Sequence, residues 1–337
     1  MSVAFRPGKL DPELLAELLA ANVIGDERVV IRPGIGRDVC AIRMGEGYLV
    51  AKTDPITFAT DRIGRYVVHV NANDIATVGA RPKWFLLTAL LPGNGTDEAL
   101  VRGIWDDVQS ALDEIDCELC GGHTEVTPGL DRPVLVGQML GEVEAGRLVD
   151  KRSVRPGDRI LLTKGVPIEG TAIMARERAG DLASAFSPEE VKKARGFLDD
   201  PGISVLREAM IACETGEVHA MHDPTEGGVA TALWELAEAA ACGMMVKGDA
   251  IPLVEPGGAF CRHFGLDPLG TISSGALLIC APRPDAGRIA AELARAGIAC
   301  ADVGEVRPRA EGALMARGGE TVPVPRFPQD EITRLFG

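Results

Sequence analysis

Apolar and polar positions in the first half of the chain alternate between a helical rhythm and an extended one. The stretch near 11–22 reads as a charged amphipathic helix, followed by strands near 28–31, 38–43 and 47–53, the last two joined by a glycine turn at Gly45–Gly47. Val67, Val70, Ile75 and Val78 fall at near-helical spacing across 64–78, and Gly79 with Pro82 supplies a helix stop. A strand at 83–91, a helix at 97–115 and strands at 116–120 and 132–143 complete an α+β pattern with a strong antiparallel component.

The pattern restarts at Arg155-Pro156-Gly157-Asp158 with the apolar strand Arg159 to Thr163, so a turn-rich connection between about 145 and 157 divides the chain into domains 1–150 and 151–337. The second domain alternates more regularly. Helices are expected near 168–179, 188–196, 202–213, 228–241 and 284–296, with strands near 159–163, 217–221, 244–247, 274–280 and 300–306, a mixed α/β domain.

Composition narrows the function. A chain of 337 residues with 46% hydrophobic content can bury two cores. Gly and Pro are dispersed, which gives many turns and no low-complexity linker. The formal charge of −14 argues against nucleic acid and anionic membranes as partners, because both demand excess Lys and Arg. No run approaches the roughly 18 to 20 apolar residues of a membrane span, and the chain opens into a charged helix rather than an export signal. The eight cysteines mostly lie in apolar runs, where buried reduced thiols are the expectation, and a cytoplasmic location follows. Cys117 and Cys120 form a single CxxC with no second pair at zinc-ribbon spacing, and sit in a strand-like segment.

Three aspartates stand where surface placement explains them poorly. Asp38 follows a turn punctuated by Pro33, Gly34 and Gly36; Asp54 ends the run Tyr48 to Ala51; Asp74 interrupts an apolar helix. Magnesium on a nucleotide takes one or two carboxylates plus phosphate oxygens and water, so scattered aspartates that converge in space are its expected trace. Asn71 and Asp74 share a helix face, with Asn73 about a third of a turn away. A solvated face or a satisfied polar group in the core is the alternative for all three.

Three glycine-bearing segments could serve anions. Gly121-Gly122-His123-Thr124-Glu125 follows a strand, and its glycines would let backbone N–H groups approach a ligand. His123 could ligate a metal, move a proton or simply bond a neighbour. His222-Asp223-Pro224-Thr225-Glu226-Gly227-Gly228 joins a strand to a helix whose N-terminus can offer donors to phosphate; the plain alternative is an N-cap by Asp223 or Thr225. Lys164 to Thr171 also precedes a helix and could face the same cleft.

In order, GIGRDVCAI, KTDP, VNANDIATVGARP, GGHTEVTPG, KGVPIEGTAI and HDPTEGGVA resemble the motifs of the aminoimidazole ribonucleotide synthase superfamily, and the resemblance covers most of the chain. That superfamily includes thiamine-monophosphate kinase, selenophosphate synthetase, formylglycinamidine synthase and a hydrogenase maturation factor that dehydrates a carbamoyl thioester, which the DPT.GG segment resembles most. The resemblance implies an N-terminal α+β domain forming a β-barrel across a homodimer, a C-terminal α/β domain closing the cleft, and ATP with Mg2+ as cofactors. By motif position Asp38, Asp54 and Asp74 would hold the metal, with Thr53 and Asn73 beside them. Gly121, Gly122 and Thr124 would line the nucleotide pocket, and Asp223 would face the cleft; from the residues themselves Gly227 and Gly228 are further nucleotide-binding candidates, and His123, Asp223 and Glu226 catalytic candidates. The acceptor would be a small molecule or a protein-borne group. The implied activity is phosphoryl transfer that activates an amide or carboxyl-like oxygen or a phosphate acceptor, with a thiamine-phosphate-kinase-like phosphotransferase or a non-catalytic ATP-binding scaffold as alternatives.

Departures from the pattern matter. His123 stands where an acidic residue is common, and Glu226 where the maturation factor commonly has a basic one. The chain ends Thr333-Arg334-Leu335-Phe336-Gly337 without the factor's terminal cysteine, so its chemistry on its own thiol is expected to be absent. Met1 to Ile31 also lacks the reactive cysteine of selenophosphate synthetase.

Overall fold

The computed structural model describes residues 8, 10–57, 59, 61–327 and 329–336. Met1 to Pro7 and Gly337, which carry part of the expectations about the chain's two ends, lie outside the described residues. In chain order the elements are α1 (Pro12–Ala20), β1 (Val29–Ile31), β2 (Cys40–Met44), β3 (Gly47–Ile56), α2 (Ile63–Thr77), β4 (Arg81–Pro92), α3 (Glu98–Glu114), β5 (Glu118–Thr127) and β6 (Val134–Glu144). They continue with β7 (Arg159–Thr163), α4 (Ile168–Glu177), α5 (Ala179–Leu182), α6 (Pro188–Arg195), α7 (Leu206–Thr215), β8 (Ala220–His222), α8 (Gly228–Ala240) and β9 (Gly243–Lys247). Last come α9 (Gly257–Phe264), β10 (Leu278–Ala281), α10 (Arg283–Arg295), β11 (Cys300–Arg307), β12 (Ala313–Arg317) and β13 (Glu320–Pro323).

The chain divides into two compact units. One comprises residues 26–32 and 38–148; the other comprises 149–337 together with 1–25 and 33–37. In the first, a six-stranded sheet runs β1-β2-β3-β6-β4-β5, antiparallel except for the parallel β4·β5 pair. Strand alternation sends Phe85, Leu87, Ala89 and Leu91 of β4 into the core. Against that face lies α2, all fifteen of whose residues are buried, because α3 covers its other side. Gly64 permits the close approach: a Cβ there would stand 2.6 Å from the Ile104 carbonyl oxygen. On α3 the buried stripe is Ile104, Val108, Ala111 and Leu112, and Asp97 caps its start by accepting from Leu100 N–H at 2.8 Å.

The second unit is built on a seven-stranded sheet, β13-β12-β9-β11-β7-β10-β8, in which only β9·β12 is parallel. Its central strands β7 and β10 are buried along their whole length, which is why they read as continuous apolar runs rather than alternating ones. One side of its core gathers Val229, Leu233 and Leu236 of α8 with Ile160, Leu162 and Leu278. The GGHTE segment continues β5 instead of following it, a departure from the sequence expectation, and α5, α9 and the β12–β13 hairpin were not anticipated, since their apolar positions are few and short.

Candidate functional site

In the first unit the structure gathers the three aspartates around one cation, Lys52. Lys52 and Asp54 lie two residues apart on β3 and share its helix-facing side with Val50 and Ile56. The Lys52 ammonium is 2.8 Å from Asp74, reaching across from α2, and 3.4 Å from Asp54. Asp38, just before β2, is near enough for its charge to act on the same ammonium. Burial opposes the charge on Lys52, yet Asp74, Asp54 and Asp38 together push its pKa well above the ordinary lysine value. Among the described residues no group of three or more His, Cys, Asp or Glu side chains is spaced to chelate an ion unaided. These carboxylates are therefore suited to a cation that also draws on phosphate oxygens, not to an all-protein cage.

Asn71 is fully buried, donates to the Asp54 carbonyl at 3.3 Å and to the Val67 carbonyl at 2.8 Å, and leaves its Oδ1 without a hydrogen-bond partner among the described residues. Gly137 makes room for it, since a Cβ there would meet Asn71 Nδ2 at 2.4 Å. Asn73 is also fully buried in α2. Thr53 differs: strand alternation turns it to the face opposite Asp54, and its hydroxyl donates to the Gly137 carbonyl at 2.9 Å.

The glycine segment of β5 lies elsewhere. Asp54 pairs with Gly137, Gly137 with Leu87, and Leu87 with Gly122, so three inter-strand spacings of about 4.8 Å put Gly122 roughly 14 Å from Asp54 within one chain. Gly121, His123 and Thr124 lie beside it on the same edge strand, exposed from Cys120 to Val126. His123 is paired with Glu125 at 3.0 Å, and the two hydrogen-bonded neighbours Thr127 and His123 hold the Glu125 carboxyl below its usual range. Gly122 has a packing reason as well: a Cβ would overlap the Leu87 carbonyl at 1.9 Å.

In the second unit, the segment between β8 and α8 buries Asp223 and leaves Glu226 half-buried. His222 is held from both sides: Lys151 donates to its Nδ1 at 3.1 Å, and Glu235 lies 3.1 Å from its Nε2, which makes it a neutral imidazole donating to Glu235. Gly227 and Gly228 both take left-handed backbone conformations, and a Cβ on Gly228 would meet the Leu269 carbonyl at 2.4 Å. Neither Asp223 nor Thr225 caps α8. The Gly227 N–H instead donates to Asp330, from the chain's last turn, at 2.6 Å. The KGVPIEGT segment reaches the same neighbourhood: Gly170 and Gly228 both abut residues 269–272, and the buried Glu169 senses the charges of Asp330 and Glu226.

Sequence reasoning missed Lys52, Glu169 and Asp330. For Lys52 a signal existed, its two-residue offset from Asp54 on a strand; for Asp330 none did, because its partner is 103 residues away.

This two-sheet architecture and its carboxylate sites define an AIR synthase related protein, and the chain belongs to that family: residues 36–143 match its N-terminal domain and 155–317 its C-terminal domain. Within the family, the carbamoyl dehydratase HypE of Azotobacter vinelandii is 31% identical over 290 residues, covering 84% of this chain and 79% of that protein. The crystal structure of hydrogenase maturation protein HypE in complex with ATP is similar with a TM-score of 0.72 at 25% identity, over 87% of this chain and 89% of the other. AaThiL complexed with AMPPCP and TMP shares the fold, with a TM-score of 0.70 at 20% identity over 93% and 94% of the two chains. No helix among the described residues is long and apolar enough to cross a membrane.

Proposed function

We propose that the protein is an ATP- and magnesium-dependent enzyme of the HypE-like branch, activating an amide or carboxyl-like oxygen, or a phosphate acceptor, by phosphoryl transfer. The observation that carries this reading is the convergence of Asp38, Asp54 and Asp74 on the Lys52 ammonium. Three carboxylates gathered on one side-chain cation form a place where a harder cation can substitute. Support comes from the HypE relatives, one of them named a carbamoyl dehydratase and one crystallised with ATP.

Bound magnesium and nucleotide would supply the phosphoryl group and the countercharge for it. The chain's own residues do the rest. Asp74, the most buried of the three, would hold the cation, with Asp54 and Asp38 beside it. With nucleotide bound, Lys52 would be the cation available to its phosphate oxygens, since the carboxylates keep it charged. Asn71 orients the Asp54 strand through its carbonyl. Asp223 and Glu226 would take the acceptor-side roles, on a turn whose Gly227 and Gly228 amides are already held by Asp330 and the Thr225 carbonyl. Positioning and electrostatics account for most of the rate in such transfers.

The protein acts as a homodimer in this proposal. β5 is an exposed edge strand, open to pairing with a second copy, and its GGHTE segment lies roughly 14 Å from its own Asp54, three strand spacings away. Asp54→Asn and Asp74→Asn test the reading. Each is expected to abolish magnesium-dependent ATP binding by calorimetry with an unchanged circular dichroism spectrum; unaltered binding in both would remove the metal assignment. ATP binding without turnover under any acceptor would favour a scaffold.

A further inference from the structure

The C-terminal turn of the chain reaches back to the helix starts of its own unit. Asp330 lies beyond the family-matched segment, which ends at 317, and is buried. Its carboxylate accepts from Gly227 N–H at 2.6 Å, from Ile332 N–H at 2.9 Å and from the Ile272 amide. The surrounding tail is pinned independently. Arg326 stacks over Trp234 at 4.3 Å, Phe327 packs against Gly270, Glu331 accepts from Asp267 N–H at 2.9 Å, and Arg334 donates to the Gly265 carbonyl at 3.1 Å. A carboxylate delivered this rigidly to a loop amide sets where the loop stands.

Beside it, on the first turn of α4, lies Glu169, itself 5% exposed. Ser274 holds the Glu169 carboxyl through its hydroxyl and its amide, while Oε2 is buried with no hydrogen-bond partner among the described residues. The ionisable groups bearing on this pair include Glu226 from the loop before α8 and the high-pKa thiol of Cys261 on α9. Burial first, then the neighbouring carboxylates, pushes Glu169 up to about 7 and raises Asp330 above its ordinary range as well. Three backbone donors make Asp330 the ionised partner; the orphaned oxygen makes Glu169 the one that keeps a proton.

We propose that Asp330 is a positioning residue for the loop Asp223–Gly228, holding the Gly227 amide and with it the Glu226 carboxylate, and that the proton on Glu169 sets how firmly it holds. Loss of that proton places two adjacent negative charges behind Glu226 and loosens the loop. The catalytic consequence rests on the acceptor-side reading of Glu226; the hold on the loop does not.

Hydrogen exchange of the peptide spanning 223–231 in the full-length protein, corrected for intrinsic rates, tests the hold. Losing a hydrogen bond to a charged group is expected to speed Gly227 exchange by about tenfold or more in Asp330→Ala at pH 6. Asp330→Asn, whose amide oxygen can still accept, restores protection. In the wild type protection falls as pH rises from 6 to 9, and Glu169→Gln flattens that profile. An Asp330→Ala peptide that exchanges like wild type, or a Glu169→Gln profile that keeps its slope, overturns the proposal. A second readout is ATP hydrolysis with water as acceptor: Asp330→Ala lowers kcat with KM for ATP unchanged, and Asp330→Asn recovers it. Unchanged kcat despite faster exchange refutes the positioning role. Absent ATP binding by the wild type would instead refute the proposed function and leave the exchange result to decide the loop contact.

Discussion

Replacing Lys52 by Met removes the ammonium while keeping most of the aliphatic volume, and leaves Asp74, Asp54 and Asp38 facing one another. The Lys52 and Asp74 side chains are 14% and 6% exposed, so their 2.8 Å contact behaves as a buried pair, whereas Asp54 at 36% is screened by solvent and adds little. Removing one partner of a buried pair costs roughly 3–5 kcal/mol because the other charge is stranded, and the lower end applies at this half-open site. Lys52→Met is therefore expected to destabilise the metal-free protein by about 3 kcal/mol, read by urea unfolding in EDTA. Magnesium should then offset most of that loss. A ligand at a hundred times its dissociation constant stabilises by about 2.7 kcal/mol, and the variant receives all of it, because no ammonium must be displaced first. The wild type gains less from magnesium alone. A variant as stable as wild type in EDTA, or one that magnesium does not rescue, would show that the three carboxylates do not form a cation site.

Other expectations concern the second unit and the sheet edge. Glu169 has its carboxyl raised from 4.5 to about 7 by burial and neighbouring carboxylates, so its favourable contribution is complete below pH 4.5 and is lost as pH rises through 7. Glu169→Gln lacks that loss and should gain on the order of 3 kcal/mol over wild type between pH 4.5 and 8 in urea unfolding; a pH-independent difference would contradict the placement. For the dimer, Val126→Lys puts an ammonium on the exposed edge strand of both copies, and light scattering should show dissociation strengthened by about tenfold or more. A monomeric wild type would remove the two-copy site.

Much of this was legible in the sequence, for physical reasons that also explain the gaps. Val67, Val70, Ile75 and Val78 marked α2 because a helix between a sheet and another helix must be apolar nearly all round, and its polar intruders Asn71 and Asp74 stood out against that background. The apolar runs of β7 and the glycines before α8 were readable because burial and backbone conformation leave strong local traces. Strand β5 ran longer than expected since Gly121 and Gly122 look like a turn, while in fact Gly122 lets two strands approach. Lys52 was hidden by its ordinary identity, and Asp330 by distance along the chain. The HDPTEGG loop read as a helix start open to phosphate, with a cap by Asp223 or Thr225 as the alternative; the Gly227 amide is instead held from the tail.

In the proposed site, Asp38, Asp54 and Asp74 receive a nucleotide-bound divalent cation in place of the Lys52 ammonium. Crystals grown with manganese and a nonhydrolysable ATP analogue test it through anomalous scattering. The account predicts a manganese peak coordinated by Asp74 and at least one of Asp54 and Asp38, with the Lys52 ammonium swung onto phosphate oxygens. Nucleotide bound with no metal at these carboxylates, and Lys52 still paired to Asp74, would contradict it.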